Sequence, residues 1–154
     1  MDEFIARLRQ DFPAFTFTAG KQFRWSGKTQ EITYDPVAKA PTGLWALLHE
    51  LGHGLLEHQE YRTDIGLLKL EVAAWVKAQE LAVRYKLEID EEHIEHCLDS
   101  YRDWLHQRST CPVCGTHSLQ QITGEYACYN CQASWQVTRS RFCRPYRRLA
   151  AEKV

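Results

Sequence analysis

The sequence predicts an α+β fold: a small antiparallel sheet packed on helices, with a compact cysteine-bearing module appended. Three observations predict it. Short runs rich in Phe, Trp, Thr, Ile and Tyr lie between residues 14 and 35, three stretches of helical apolar spacing follow to about residue 107, and Cys-x-x-Cys pairs stand at 111–114 and 128–131. A sheet first, helices next and a small module last differs from the alternating strand–helix pattern of a parallel α/β sheet.

The first helix is "MDEFIARLRQDF", where Phe4, Ile5, Leu8 and Phe12 recur at helical spacing and Pro13 closes the segment. "AFTFT", "QFRWS" and "EITYD" then read as strands, with glycines in "AGK" and "SGK" for the turns. "DPVAKAP" ends the sheet. Helices are expected over about 42–58, 64–87 and 90–107, the last capped by Asp90. No internal repeat or low-complexity tract interrupts them.

A chain of 154 residues holds one ordinary domain, or a domain of roughly 100 residues with a satellite. Its formal charge of −1 conceals an asymmetry. Residues 109–154 carry six Lys/Arg against two Asp/Glu, whereas residues 1–108 carry thirteen against eighteen. The N-terminus lacks the basic start and apolar core of a secretory signal, and no run reaches the ~18 apolar residues of a membrane span. A cytoplasmic protein is therefore expected, and paired cysteines in a reducing compartment read as metal ligands rather than disulfides.

The chemistry concentrates in "LWALLHELGHGLLEH", residues 44–58. On a helix His49 and His53 lie one turn apart on one face, so both can serve a single ion, and Glu50 lies about 100° round from His49. That is the division of labour of a zinc hydrolase, in which an ion acidifies a water and the carboxylate handles its proton. With seven His and thirteen Glu in the chain, about 0.03 such patterns are expected by chance. Leu44, Leu48, Leu51 and Leu55 form an apolar stripe beside the histidines. Gly52 and Gly54 each cost roughly 1 kcal/mol of helix propensity, which signals close approach of substrate or a neighbouring backbone.

A catalytic zinc site needs a third protein ligand. Positions 67, 71, 74, 78, 81 and 85 share a helical stripe, and Glu71 is its only charge. A carboxylate on an apolar face is costly unless paired or bound to metal, so Glu71 is the expected third ligand. His58 competes. "HELGHGLLEH" resembles the long metzincin signature, but its last histidine comes one residue early and Leu56 stands in the glycine's place. His58 is therefore read, with Glu57 and Glu60, as a solvated helix end, and His93, His96 and His106 as surface residues.

"LLHELGHGLLEH" followed by "LEVAAW" on the next helix resembles the gluzincin group of zincin metallopeptidases, most of all its small ImmA/IrrE-type and minigluzincin members. With "EITYDP" before it, the resemblance covers roughly residues 30 to 85. It implies that His49, His53 and Glu71 are zinc ligands, that Glu50 is the general base, and that an edge strand aligns a peptide substrate as an added strand. "VAAW" departs from the acidic continuation of the larger gluzincins, so no residue is assigned to orient the histidines. Tyr61, Tyr85 and Tyr101 all remain candidates for stabilising the oxyanion.

"CPVCG" and "CYNC" have the layout of a zinc ribbon, in which Cys111, Cys114, Cys128 and Cys131 close a tetrahedral structural site. Tyr126, Tyr129 and Trp135, with Arg139, Arg141, Arg144, Arg147 and Arg148, suit stacking on bases and neutralising phosphates, or contact with the acidic first domain. The ribbon also resembles that of SprT-like proteases, which act on DNA-crosslinked proteins but use a third histidine. The expectation is a zinc metalloendopeptidase with one catalytic and one structural Zn2+: residues 1–108 the metallopeptidase domain, 109–140 the ribbon, 141–154 a basic tail that can lie across an acidic surface. Its partners would be peptide or protein substrates, with nucleic acid through ribbon and tail and no membrane. The alternatives are a nucleic-acid-binding or scaffolding protein with an inactive site, and a DNA-stimulated protease.

Overall fold

The computed structural model describes residues 1–138 and 145–150. The chain divides into two compact units, Met1–Glu60 with Lys69–Ile94, and Tyr61–Leu68 with Glu95–Val154. The fold is α+β, with four helices and two three-stranded sheets among the described residues. No described helix is long and apolar enough to cross a membrane.

In the first unit, α1 (Asp2–Asp11) precedes three short strands, β1 (Thr16–Ala19), β2 (Arg24–Ser26) and β3 (Glu31–Tyr34). Their spatial order is β1-β3-β2. β3 pairs antiparallel with β2 but parallel with β1, so the sheet is mixed where the sequence suggested only antiparallel pairing. The reason lies in burial: β3 alternates half-buried and buried residues, with Ile32 and Tyr34 turned inward, and the strand richest in inward side chains takes the centre. β2 is left as an edge beside α2 (Thr42–Leu55).

α2 is buried nearly all round rather than along one stripe: Trp45, Leu47, Leu48, His49, Leu51 and the glycines at 43, 52 and 54 are all enclosed. Of the expected stripe, Leu48 and Leu51 are fully buried, Leu44 half-buried and Leu55 exposed. α3 (Asp64–Arg84) contributes Glu71, Ala74, Ala78 and Leu81 to the core, and Tyr85 follows on the same face. The Tyr85 hydroxyl donates to Asp11 at 2.6 Å and its ring meets Phe4 edge-on, which fastens the end of α3 to α1. α3 ends with Lys86 in the left-handed region, and the Leu87 N–H returns to the Ala82 carbonyl at 2.8 Å.

The second unit takes its helical residues from the start of α3 and from α4 (Glu91–Ser109), and its sheet from β4 (Tyr126–Ala127), β5 (Ser134–Val137) and β6 (Arg147–Leu149). β6 pairs antiparallel with β5, so part of the stretch read as a basic tail is a strand. Arg139, Arg141, Arg144 and Cys143 lie outside the described residues. Tyr126 and Trp135 face each other across the β4–β5 pair and stack at 5.4 Å, in a cluster with Cys111 and Cys128. Beneath them Arg108 grips Asp64 with two bonds, of 2.5 and 3.2 Å, while Tyr126 donates to Asp64 at 2.6 Å. Arg108 also donates to the Thr138 carbonyl, and its own carbonyl accepts the Trp135 indole N–H at 3.0 Å. Both charged side chains are only 5% exposed, so neither can be solvated if its partner is lost.

Asp64→Ala is accordingly expected to destabilise the protein by about 3–5 kcal/mol, the usual cost of stranding one member of a buried pair. Urea denaturation followed by circular dichroism measures this, and a loss below about 1 kcal/mol would remove the pair from its structural role.

Candidate metal centres

Close packing of α2 against α3 builds the first centre. A Cβ on Gly52 would stand 2.6 Å from the Ala74 carbonyl oxygen, so only glycine lets the two helices come this near. One turn before Ala74, α3 presents Glu71 to the histidines of α2. Gly54 faces the other way: a Cβ there would meet the rings of Phe15 and Trp25 at 3.2 Å, the pair that packs edge-on between sheet and helix. The close approach signalled by these glycines is thus backbone at one and aromatic rings at the other.

His49 Nε2 lies 3.1 Å from His53 Nε2 and 3.2 Å from Glu71 Oε2, and His53 Nε2 lies 3.6 Å from the same oxygen. Donors ~2.0–2.1 Å from a tetrahedral zinc stand about 3.3 Å apart, so the observed triangle fits one such ion. Burial alone would raise the pKa of Glu71, but its contacts with the His49 and His53 imidazoles outweigh it and hold the carboxyl well below the usual range. Glu71 is an anion at neutral pH, as a cation ligand must be. The buried charge on an apolar stripe has its explanation in this cluster.

Glu50 is not part of the triangle. Its Oε2 accepts the Trp25 N–H at 2.6 Å, from the outward side of edge strand β2. Burial raises its pKa, against the opposing pull of His49, His53 and the Trp25 N–H. The carboxylate is thereby held in a fixed orientation one residue from the His49 imidazole of the candidate metal cluster.

The outer nitrogens of the two imidazoles differ. His49 Nδ1 is buried without a hydrogen-bond partner among the described residues, and its ring packs on Trp75 at 4.3 Å. His53 Nδ1 lies 2.8 Å from Nδ1 of His58. His58 is half-buried rather than a solvated helix end, and its placement stems from a backbone turn whose left-handed position is Glu57 and not a glycine that would announce it. His93 is also half-buried, its ring packed against Trp45 and Trp75, whereas His96 and His106 are exposed as expected. Of the tyrosines considered for the oxyanion, Tyr85 is committed to Asp11, and Tyr61 and Tyr101 belong to the second unit.

The second centre brings together Cys111, Cys114, Cys128 and Cys131. The sulfurs of Cys111 and Cys131 are 3.6 Å apart and those of Cys114 and Cys128 3.5 Å apart. A disulfide needs about 2.05 Å, whereas thiolates on one tetrahedral zinc stand about 3.8 Å apart. Bonds from the Thr116 side chain and backbone pull the Cys114 thiol down to about 5. At Cys131 the Ala133 N–H works in the same sense, but burial and the three neighbouring sulfurs push the thiol up to about 12. Four sulfurs at these separations can surround one cation once their protons are lost.

No protein-family model, curated protein or solved structure matches the chain. The two donor sets themselves are what points to metal, and both are compatible with zinc.

Gly52→Ala is expected to force α2 from α3, destabilising the protein by about 1–3 kcal/mol. Because the same shift parts Glu71 from His49 and His53, metal affinity at this centre should fall as well. Denaturation and metal titration of the variant check both, and unaltered values would mean that the Ala74 contact is not limiting.

Proposed function

We propose that the chain is a zinc-dependent metallopeptidase of gluzincin type, hydrolysing peptide bonds at the helical centre, with the four-cysteine centre serving structure and docking. The observation that carries this reading is the convergence of His49, His53 and Glu71 on one point, with Glu50 beside His49 on the same helix. Three protein donors are what catalytic zinc sites use, whereas the four cysteines match a closed structural site. Zinc at the helical centre would supply an acidified water and polarise the scissile carbonyl.

The remaining chemistry belongs to the protein. Glu50 is anchored through Oε2 by the Trp25 N–H, which leaves Oε1 to take the proton of the attacking water and return it to the leaving amine. Its burial raises its basicity towards that task. β2 is an edge strand next to Glu50, and a peptide approaching the carboxylate along this edge would meet its outward Trp25 N–H already engaged. Reduced sulfurs in both cysteine pairs suit a cytoplasmic setting.

The second unit exposes Tyr129 and Tyr146 together with Arg147 and Arg148. Aromatic faces and guanidinium groups of this kind suit stacking on single-stranded nucleic acid, which favours DNA-stimulated proteolysis as the second reading.

Glu50→Gln should lower peptide hydrolysis by at least about 10²–10⁴-fold, the contribution of a general base, while leaving metal content unchanged. Peptide cleavage assays alongside elemental analysis separate these effects, and full activity in the variant would refute the role of Glu50. Cys111→Ser should reduce the metal content from two ions to one, with the His/Glu centre still loaded. Loss of both ions together would mean that the centres are not independent. Single-stranded DNA added to the assay discriminates the second reading, which requires a rate increase that weakens with salt.

A further inference from the structure

Where α2 ends, Glu57 adopts a left-handed conformation with φ of 52°. The Glu57 N–H then bonds to the Gly54 carbonyl at 3.0 Å and the His58 N–H to the His53 carbonyl at 3.0 Å. This pair of bonds is a Schellman cap with a glutamate where glycine is usual, and it folds residue 58 back over residue 53. The Trp25 indole N–H donates to the His58 carbonyl at 2.9 Å and holds the returned chain in place. The two imidazoles consequently meet edge to face with their Nδ1 atoms 2.8 Å apart.

Two ring nitrogens at that distance need one proton between them. His53 turns Nε2 towards His49 and Glu71, and a nitrogen that ligates a metal must present its lone pair. The shared proton is therefore on His53 Nδ1, donated to the lone pair on His58 Nδ1, and His58 keeps its own proton on Nε2. We propose that His58 is the positioning residue of the helical metal centre, fixing His53 as the Nδ1–H tautomer and setting the plane of its ring through the Nδ1–Nδ1 hydrogen bond. The contact matters because the other imidazole has no equivalent: His49 Nδ1 has no hydrogen-bond partner among the described residues. His58 thus takes the orienting role that a carboxylate or carbonyl fills in many metal sites. The inference rests on the metal-binding part of the proposed function and is independent of the reaction.

The test compares His58→Asn with His58→Leu, side chains with the same number of heavy atoms and branching, of which only Asn offers an acceptor oxygen to the His53 N–H. Protein carrying one equivalent of zinc, which the softer four-cysteine centre takes first, is titrated with cobalt(II) and followed by d–d absorbance without thiolate charge-transfer bands. The Leu variant should bind cobalt about 10–100-fold more weakly than the parent, the usual cost of losing an outer hydrogen bond to a ligand. The Asn variant should stay within roughly threefold of it. Before any cobalt is added, proton–nitrogen correlation spectra should show His53 as a pure Nδ1–H tautomer in the parent and Asn proteins and as a mixture in the Leu protein. Equal affinities and tautomers in all three proteins, or equal weakening in both variants, would overturn the role of His58. Failure of the parent to bind cobalt at this centre would overturn the metal reading instead.

Discussion

Everything at the helical centre depends on how closely α2 and α3 approach. Packed helix axes commonly lie 8–10 Å apart, a spacing set by the side chains between them. At Gly52 there is no side chain, and the Ala74 carbonyl occupies the space that a Cβ would need. Only at this spacing do a carboxylate from one helix and two imidazoles from the other come within 3.6 Å of each other. Glycine weakens a helix by roughly 1 kcal/mol relative to alanine, and here that cost is the condition for assembling the donors. The same helix is glycine again at residue 54, where Phe15 and Trp25 close in from the sheet. Trp25 then acts three times over: its ring packs on α2, its backbone N–H holds Glu50, and its indole N–H holds the chain at His58.

The second unit is organised by different forces. Around the cysteines its apolar cluster is small, centred on Tyr126 and Trp135 with two of the sulfur-bearing side chains. A buried Arg–Asp pair joins the start of α3 to the end of α4, and the Tyr126 hydroxyl completes its hydrogen bonding. Such a pair adds little net stability over an apolar replacement, but once formed it tolerates no loss of one partner. The four sulfurs, drawn together in pairs 3.5 and 3.6 Å apart, suit a shared cation.

Much of this was legible in the chain because it is periodic or locally spaced. The helical interval between His49 and His53, the lone charge of Glu71 on an apolar stripe, and the two Cys-x-x-Cys knuckles each express geometry within one element or across a short hairpin. The α+β class followed from the order of strand-like and helix-like segments. The parallel pairing of β1 with β3 was not legible, because strands of three or four residues carry no record of their order in a sheet. His58 was misplaced because its return over His53 depends on Glu57 adopting a conformation that sequence signals only when glycine occupies it. Arg108 and Asp64 are 44 residues apart and neither stands out among the chain's many charges. β6 was hidden in an arginine-rich stretch whose composition suggests a solvated tail.

The central claim is that one zinc ion sits among His49, His53 and Glu71, with Glu50 and His58 close by but outside its ligand set. Anomalous diffraction at the zinc edge from crystals of the metal-loaded protein tests it most directly. The account predicts a peak within about 2.0–2.2 Å of His49 Nε2, His53 Nε2 and a Glu71 oxygen. A featureless map between the two helices, or a peak ligated by His58 or Glu50 in place of Glu71, would contradict it.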